Sequence, residues 1–329
     1  MTNILVLGGT AWLGREIARA AVARGDTVTC LARGEAGDVA EGVRLVRADR
    51  ADPSAYDEVS GRDWDDVVDV SWNPAFVRGA VTALGDRATH WTYVSSCSVY
   101  ADHDTPGADE DAELMPPLED GEPTWEVYGE AKAACEAAVV AALGDRALLA
   151  RAGLIGGPGD RSDRFGYWAG RFALAGSDPV LVPDARQQPS QLIDVRDLAA
   201  WLLHAGSAGV SGPLNAVGQR MELGDQLDEA AGVADFGGDV VPASEAWLDE
   251  HGVSPWTGPR SLPLWLPSEG HAGFAARDGR RALDAGLERR AMVETLRDTL
   301  AYEREVGLDR ERKAGLARAD ELELIAQLR

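Results

Sequence analysis

The sequence predicts an α/β fold: a doubly wound parallel sheet with a smaller, interleaved C-terminal region. Three observations predict it. Short apolar runs recur through the first 150 residues, and they are continuous rather than alternating, as in strands covered on both faces. Stretches with helical spacing separate them, and parallel strands need such crossovers. A glycine-rich turn joins the first strand to the first helix near the start of the chain.

Each element follows from its pattern. Residues 4–7 read as a buried strand and residues 13–24 as a helix. Residues 28–31, 43–46, 67–70 and 91–95 read as four further strands. The Ala-rich stretch 128–143 reads as a helix and residues 147–150 as the strand after it. Beyond Ala152 the chain grows rich in Gly, Pro and Trp, with a strand near 191–195 and a helix over 195–204. Two terminal helices are expected at 292–305 and 310–328. No internal repeat or low-complexity tract occurs. The expected plan is a core over 1–155 to which 186–217 return, with 156–185 and 218–329 forming a substrate-binding cap.

The 329 residues hold 32 Lys and Arg against 55 Asp and Glu, a net charge of −23. Such a chain repels phosphate backbones and anionic membranes unless it holds a basic patch. Its densest basic stretch, Arg310 to Lys313, is broken by Glu311 and follows Asp309. Nucleic acid and membrane are therefore not expected as partners, whereas an anionic cofactor held by backbone donors is compatible. Cys30, Cys97 and Cys135 lie far apart, with neither metal spacing nor an even count for disulfides. His90, His204 and His271 also lack metal spacing, so no metal is expected. No apolar run approaches the roughly 18 residues of a membrane span. A cytoplasmic protein is the expectation.

The first strand runs into Gly8-Gly9-Thr10-Ala11-Trp12-Leu13-Gly14. Small residues at 8, 11 and 14 suit a tight turn, close approach to a pyrophosphate, and close helix–sheet packing. The helix that follows would point free N–H groups at the phosphates. A lone glycine pattern is weak, but this one lies between a strand and a helix, as a dinucleotide site requires. At the end of the second strand, where an acid would meet the ribose 2′-hydroxyl of NAD, stands Arg33-Gly34. A guanidinium there suits a 2′-phosphate, and Arg15 would add a second cation. NADP(H) is thus favoured, with NAD(H) the alternative. The plainer reading of Arg33 is a solvated loop charge.

The fifth strand ends in Tyr93-Val94-Ser95-Ser96-Cys97-Ser98-Val99-Tyr100, and Tyr128-Gly129-Glu130-Ala131-Lys132 follows about thirty residues later. A four-residue step puts Tyr128 and Lys132 on one helix face. A nearby ammonium favours the phenolate, which makes Tyr128 a workable general acid or base. A serine at the end of a strand would offer its hydroxyl to a substrate oxygen.

These motifs together resemble the extended short-chain dehydrogenase/reductase superfamily, in its NAD-dependent epimerase/dehydratase group, as an atypical reductase-like branch. The resemblance covers the Gly8–Gly14 turn, Asp49, the Ser95–Tyr100 stretch and Tyr128-x-x-x-Lys132. It extends through Gly156-Gly157-Pro158-Gly159 to Gln191-Leu192-Ile193-Asp194-Val195-Arg196-Asp197-Leu198. It implies a Rossmann-type core in which Ser96 polarises the substrate oxygen and Tyr128 transfers its proton. It also implies that Lys132 lowers the Tyr128 pKa and bonds the nicotinamide ribose. Asp49 would sit by the adenine amino group, with Arg50 beside it either at the cofactor or in solvent. Ser95 and Ser98 are the alternates to Ser96, unless they merely satisfy local backbone groups.

Dehydratases of this group resemble one another in an acidic pair after the active-site hydroxyl residue. Here Cys97-Ser98 follows Ser96, which disfavours dehydration.

The stretch 159–168 is expected to be a specificity loop. Phe165, Tyr167 and Trp168 would form a stacking wall, and Arg161 or Arg164 would bind an anionic group or pair with Asp160 and Asp163. Trp201 is expected in the core, whereas Trp256 and Trp265, among prolines, would cap a pocket. The leading expectation is an NADP(H)-dependent oxidoreductase acting on a carbonyl or secondary alcohol of a small molecule. The alternatives are an epimerase of a nucleotide-linked sugar and a non-catalytic dinucleotide-binding regulator. A monomer and a homodimer through the Tyr128 helix are both compatible with its Ala-rich surface.

Overall fold

The computed structural model describes residues 2–328. The first half of the chain runs β1 (Asn3–Leu7), α1 (Trp12–Ala23), β2 (Thr27–Ala32), β3 (Arg44–Arg47), α2 (Asp57–Ser60), β4 (Trp64–Asp69), α3 (Pro74–Leu84), β5 (Ala88–Ser96), α4 (Tyr128–Leu143) and β6 (Ala147–Ala152). It continues with β7 (Leu154–Gly156), α5 (Arg164–Ala175), β8 (Val180–Pro183), β9 (Pro189–Asp194), α6 (Val195–Ala208), β10 (Gly212–Ala216), β11 (Gln219–Glu222) and α7 (Leu223–Val233). The last elements are β12 (Val240–Ala243), α8 (Glu245–Glu250), β13 (Ser254–Trp256), β14 (Ser261–Pro263), α9 (Arg280–Asp284), α10 (Met292–Val306) and α11 (Arg318–Leu328).

Seven strands pair in parallel in the order β10-β6-β5-β4-β1-β2-β3. The apolar runs are continuous because both faces of this sheet are covered. Ile4 and Val6 pack into the core shared with α1 and α6, while Leu5 and Leu7 pack into the core shared with α3 and α4. The chain turns from one half of the sheet to the other between β1 and β4. Open α/β sheets bind ligands at that switch point, outside the carboxyl ends of the strands. This is a Rossmann-type fold.

A third core packs α5, α7, α10 and α11 around β8 and β14. The small sheet β11-β9-β7 sits at the chain's passage into this layer. Here the structure departs from the sequence reading. Residues 164–175 form α5 rather than a loop, and the last helix begins at Arg318 rather than 310. Arg310 and Arg312 instead leave the helix pattern to pair with Asp163 and Glu303. Trp201 is in the core as expected, its indole N–H donating to the Ala285 carbonyl. Trp265 is also core, 3% exposed, while Trp256 stays half-buried with its ring edge-on to Phe274. Among the described residues no helix is long and apolar enough to cross a membrane.

Candidate active site

The turn after β1 is as close-packed as a backbone permits. Gly8 has φ +106°, and a Cβ there would lie 2.7 Å from Val70 Cγ2. A side chain at Gly9 would collide with Cys30, and one at Gly14 with the Gly8 carbonyl oxygen. Thr10 is buried and Ala11 exposed. Ala11 is also the N-cap of α1, with no side chain capping the helix and no acid in its first turn. The helix therefore begins with N–H groups that lack a side-chain acceptor, at its positive dipole end. That cradle fits the diphosphate of a dinucleotide. Leu13 packs into the core below, and the Trp12 indole N–H donates to the Pro158 carbonyl at 3.0 Å.

Beside the cradle, Arg33 follows β2 with 59% of its side chain exposed, paired to the equally open Glu35 at 3.2 Å. The guanidinium of Arg47, the last residue of β3, packs against Gly34. Arg47 is a second cation at this edge that the sequence reading missed; only the pairing of β3 with β2 brings it there. Asp49 is exposed and its carboxylate accepts from the Ala51 N–H. Arg50 needs correcting: it neither faces solvent nor offers a free guanidinium. It makes two bonds to Asp69, at 2.8 and 2.7 Å, and others to Tyr56 and the Phe76 carbonyl. Asp69 is fully buried and requires such a partner.

Ser96 ends β5. Its hydroxyl donates to Ser98 Oγ at 3.1 Å and accepts from the Ser98 N–H, which fixes it in place. Ser95, one residue back along the strand, points to the other face, and its buried Oγ has no partner among the described residues. The phenol of Tyr128 reaches the Ser96 hydroxyl. Burial pushes that phenol up to about 12, against the Ser96 hydrogen bond and the charge of Arg164. Lys132 is buried one turn on. Its ammonium donates to the Val94 carbonyl at 2.6 Å and the Ser71 carbonyl at 3.1 Å, and lies 4.9 Å from the Tyr93 ring centre. Burial brings it down to about 8. The cation whose charge lowers the phenol here is Arg164, while the Lys132 ammonium is engaged by the Val94 and Ser71 carbonyls.

Helix α4 is seated by a buried ion pair: Arg151 on β6 grips Glu136 with two bonds, at 3.1 and 2.9 Å. Two tryptophans that the sequence reading passed over flank Tyr128. Trp72 and Trp125 stack with ring centres 4.9 Å apart, at 5.5 and 5.4 Å from the Tyr128 ring. Trp125 is 75% exposed, a large apolar face left open at the site. The signal for both was available: Trp72 follows a strand end, and Trp125 lies three residues before Tyr128.

The expected specificity loop divides. Arg164 is half-buried, 5.0 Å from the Trp256 ring centre, with its Nε donating to Ser162. Phe165 and Trp168 are corrections: they are 0% and 1% exposed in the core of the C-terminal layer, where the Trp168 N–H donates to the Pro263 carbonyl. A helix packed on all sides buries its aromatic residues, so they form no wall of an open cleft. Tyr167 is buried with them. Arg161 pairs with neither Asp160 nor Asp163 among the described residues. It reaches the loop after β2 and donates to the Ala36 carbonyl at 2.9 Å.

Residues 75–218 match the model of the NAD dependent epimerase/dehydratase family. A 2'-dehydrokanamycin reductase from Streptomyces kanamyceticus is 32% identical over 219 residues, 64% of this chain and 56% of the reductase. The chain thus spans little more than half the length of that curated relative. Among solved structures, a putative epimerase from Burkholderia cenocepacia superimposes with a TM-score of 0.72 at 20% identity, over 92% of this chain and 98% of the other. The UDP-glucose 4-epimerase of Thermus thermophilus, in complex with NAD, gives 0.68 at 17% identity, over 93% and 100%. At such identities these two show the shared fold. The matched segment, less than half of the chain, takes in Ser96, Tyr128 and Lys132, and over it the chain is similar to the NAD dependent epimerase/dehydratase family.

Proposed function

We propose that this chain is an NADP(H)-dependent oxidoreductase that interconverts a carbonyl and a secondary alcohol. The carrying observation is the Ser96–Tyr128 pair, set at the carboxyl edge of β5. The glycine turn and the uncapped start of α1 hold the dinucleotide, which supplies or accepts the hydride when bound. Ser96, held by the Ser98 N–H, turns its one hydroxyl proton from Ser98 Oγ to the substrate oxygen, and Tyr128 passes its proton there. A phenol near 12 keeps its proton at neutral pH, so Tyr128 is already in the form that reduction needs. Two of the three ammonium donors of Lys132 are used by Val94 and Ser71, which leaves one for a ribose hydroxyl. Arg33 and Arg47 support NADP(H): the exposed Arg33–Glu35 pair is worth at most about 1 kcal/mol and yields readily to a 2′-phosphate.

The segment between Ser96 and Tyr128 favours a cationic substrate. It holds Glu113, Glu119, Asp120 and Glu122, all exposed, and docks on the first turn of α4 through the Leu118 N–H to Glu130 carbonyl bond. The curated relative is named for a dehydro derivative of kanamycin, and ketones of amine-bearing sugars are positively charged near neutral pH. NADPH consumption should therefore be assayed with amino-sugar ketones and with neutral analogues. The expected result is turnover, faster with the cationic ketones, that Tyr128→Phe lowers by about 10²- to 10⁴-fold without loss of NADPH binding. Undiminished turnover in that variant would remove the proposal. Cofactor held through turnover, with isomerised product and no net redox change, would assign the chain to epimerisation instead.

A further inference from the structure

Loop 157–163 crosses the mouth of the glycine turn. The Trp12 N–H donates to the Pro158 carbonyl, and Gly159, at φ +86°, lies so near that a Cβ would come within 3.1 Å of the same indole nitrogen. Two anchors fix the loop behind Arg161. On one side Asp160, buried, accepts from the Ser162 N–H and hydroxyl at 2.8 and 2.9 Å. On the other, Asp163 is held by Arg310 and by the Lys313 N–H. Arg161 alone points outward, toward Ala36. A methyl-sized group at Gly37 would touch both the Thr10 carbonyl of the turn, at 3.7 Å, and Arg161 Nη2, at 3.9 Å.

In a chain with 55 acids and 32 bases, Arg161 makes no ion pair among the described residues. Its Nη1 is used by a single carbonyl, and the other donors of its planar fork stay free for an oxyanion. The start of α1, with neither cap nor acid, offers positive potential from the other side. We infer that Arg161 clamps the diphosphate of the bound dinucleotide against the α1 N-terminus, and that loop 157–163 is a strap that must open before the cofactor leaves. The inference rests on the dinucleotide reading above.

The test is the binding and release of NADPH and NADH by the full chain and by Arg161→Gln and Arg161→Lys. A diphosphate is common to both dinucleotides. Arg161→Gln should therefore weaken each by about tenfold, mostly through faster dissociation, and leave their ratio unchanged. Arg161→Lys keeps the charge and should recover part of the loss in both. Equal affinities for Arg161→Gln and the unaltered chain would overturn the clamp. Weakening confined to NADPH would overturn it too, because Arg161 would then serve the 2′-phosphate. If the unaltered chain binds neither dinucleotide, the functional proposal fails and the strap with it.

Discussion

Tyr128 sits among groups that pull its proton affinity in opposite directions. Burial favours the phenol, and the Ser96 hydroxyl and Arg164 guanidinium favour the phenolate. Arg164→Gln removes a cation and so raises the phenol further. The deprotonated fraction at any pH falls, so alcohol oxidation, which needs the phenolate as base, should slow severalfold at pH 8. Ketone reduction, which needs the proton, should keep its rate and hold it to higher pH. Rate profiles in both directions, with cofactor affinity as control, read this out; equal slowing in both directions would show that Arg164 only shapes the substrate site. Beside the cradle, Arg33→Ala and Arg47→Ala should each weaken NADPH but not NADH, by about tenfold where the charge-assisted bond is lost. An unchanged ratio of affinities in both variants would remove the NADP preference. Arg33 could be singled out from its place after a strand, whereas Arg47 could not, because its neighbour across the sheet is set by strand pairing.

The glycine turn is an element whose geometry leaves no slack. A methyl at Gly14 would meet the Gly8 carbonyl oxygen, and no rotamer can move a backbone atom aside. Gly14→Ala should cost about 1–3 kcal/mol by overpacking and lose dinucleotide binding, seen as a lower urea midpoint and a flat NADPH titration. A variant that folds with unaltered midpoint and binds NADPH would show that the turn can widen. Such turns, and the strands that lead to them, are legible in sequence because local rules dictate them: a doubly covered strand must be apolar throughout, and a close approach must be glycine. The start of α4 at Tyr128 was legible for a similar reason, in its Ala-rich run and four-residue Tyr–Lys step. Helix α5 was not. Its residues carry two glycines and four aromatics, which lower helix propensity, and the glycine- and charge-rich run before it reads as loop across its start. Its Gly166 and Gly170 lie against Glu303 and Arg312, which are far off in sequence. The same long-range pairs drew Arg310 and Arg312 out of the terminal helix. Charged residues at helical spacing look alike whether they face solvent or a buried partner.

Across the whole molecule the excess of acids lies at the surface, because several deeply buried carboxylates are matched with arginine. Asp69 has Arg50, Glu136 has Arg151, Glu321 has Arg171 and Arg318, and Glu303 has Arg310 and Arg312. One such carboxylate ties helix α6, which covers the large sheet, to the C-terminal layer. Asp194 ends β9, caps α6 by accepting from the Arg196 N–H, and bonds the Arg196 side chain at 2.7 Å. It also accepts from Thr295 on α10 at 2.9 Å and faces Arg290, while Arg196 reaches Asp298 on the same helix and Arg290 reaches Asp197. Burial alone would raise the Asp194 pKa, but the Arg196 bonds and the two arginine charges outweigh it and hold it below the ordinary carboxylate range. Its unfolded value lies near 3.9. A folded pKa below that means stabilisation that is complete above about pH 4 and lost as pH falls through the folded value. Asp194→Asn keeps the shape and removes the charge, leaving Arg196 and Arg290 short of a partner. At pH 7 it should cost about 3 kcal/mol, the scale for breaking a buried pair. The gap between variant and unaltered chain in urea unfolding should narrow as pH falls below 4, where the native carboxylate itself takes up a proton. A gap of the same size at pH 7 and pH 3 would assign the loss to packing and capping, and the charge of Asp194 would not be what joins the two layers.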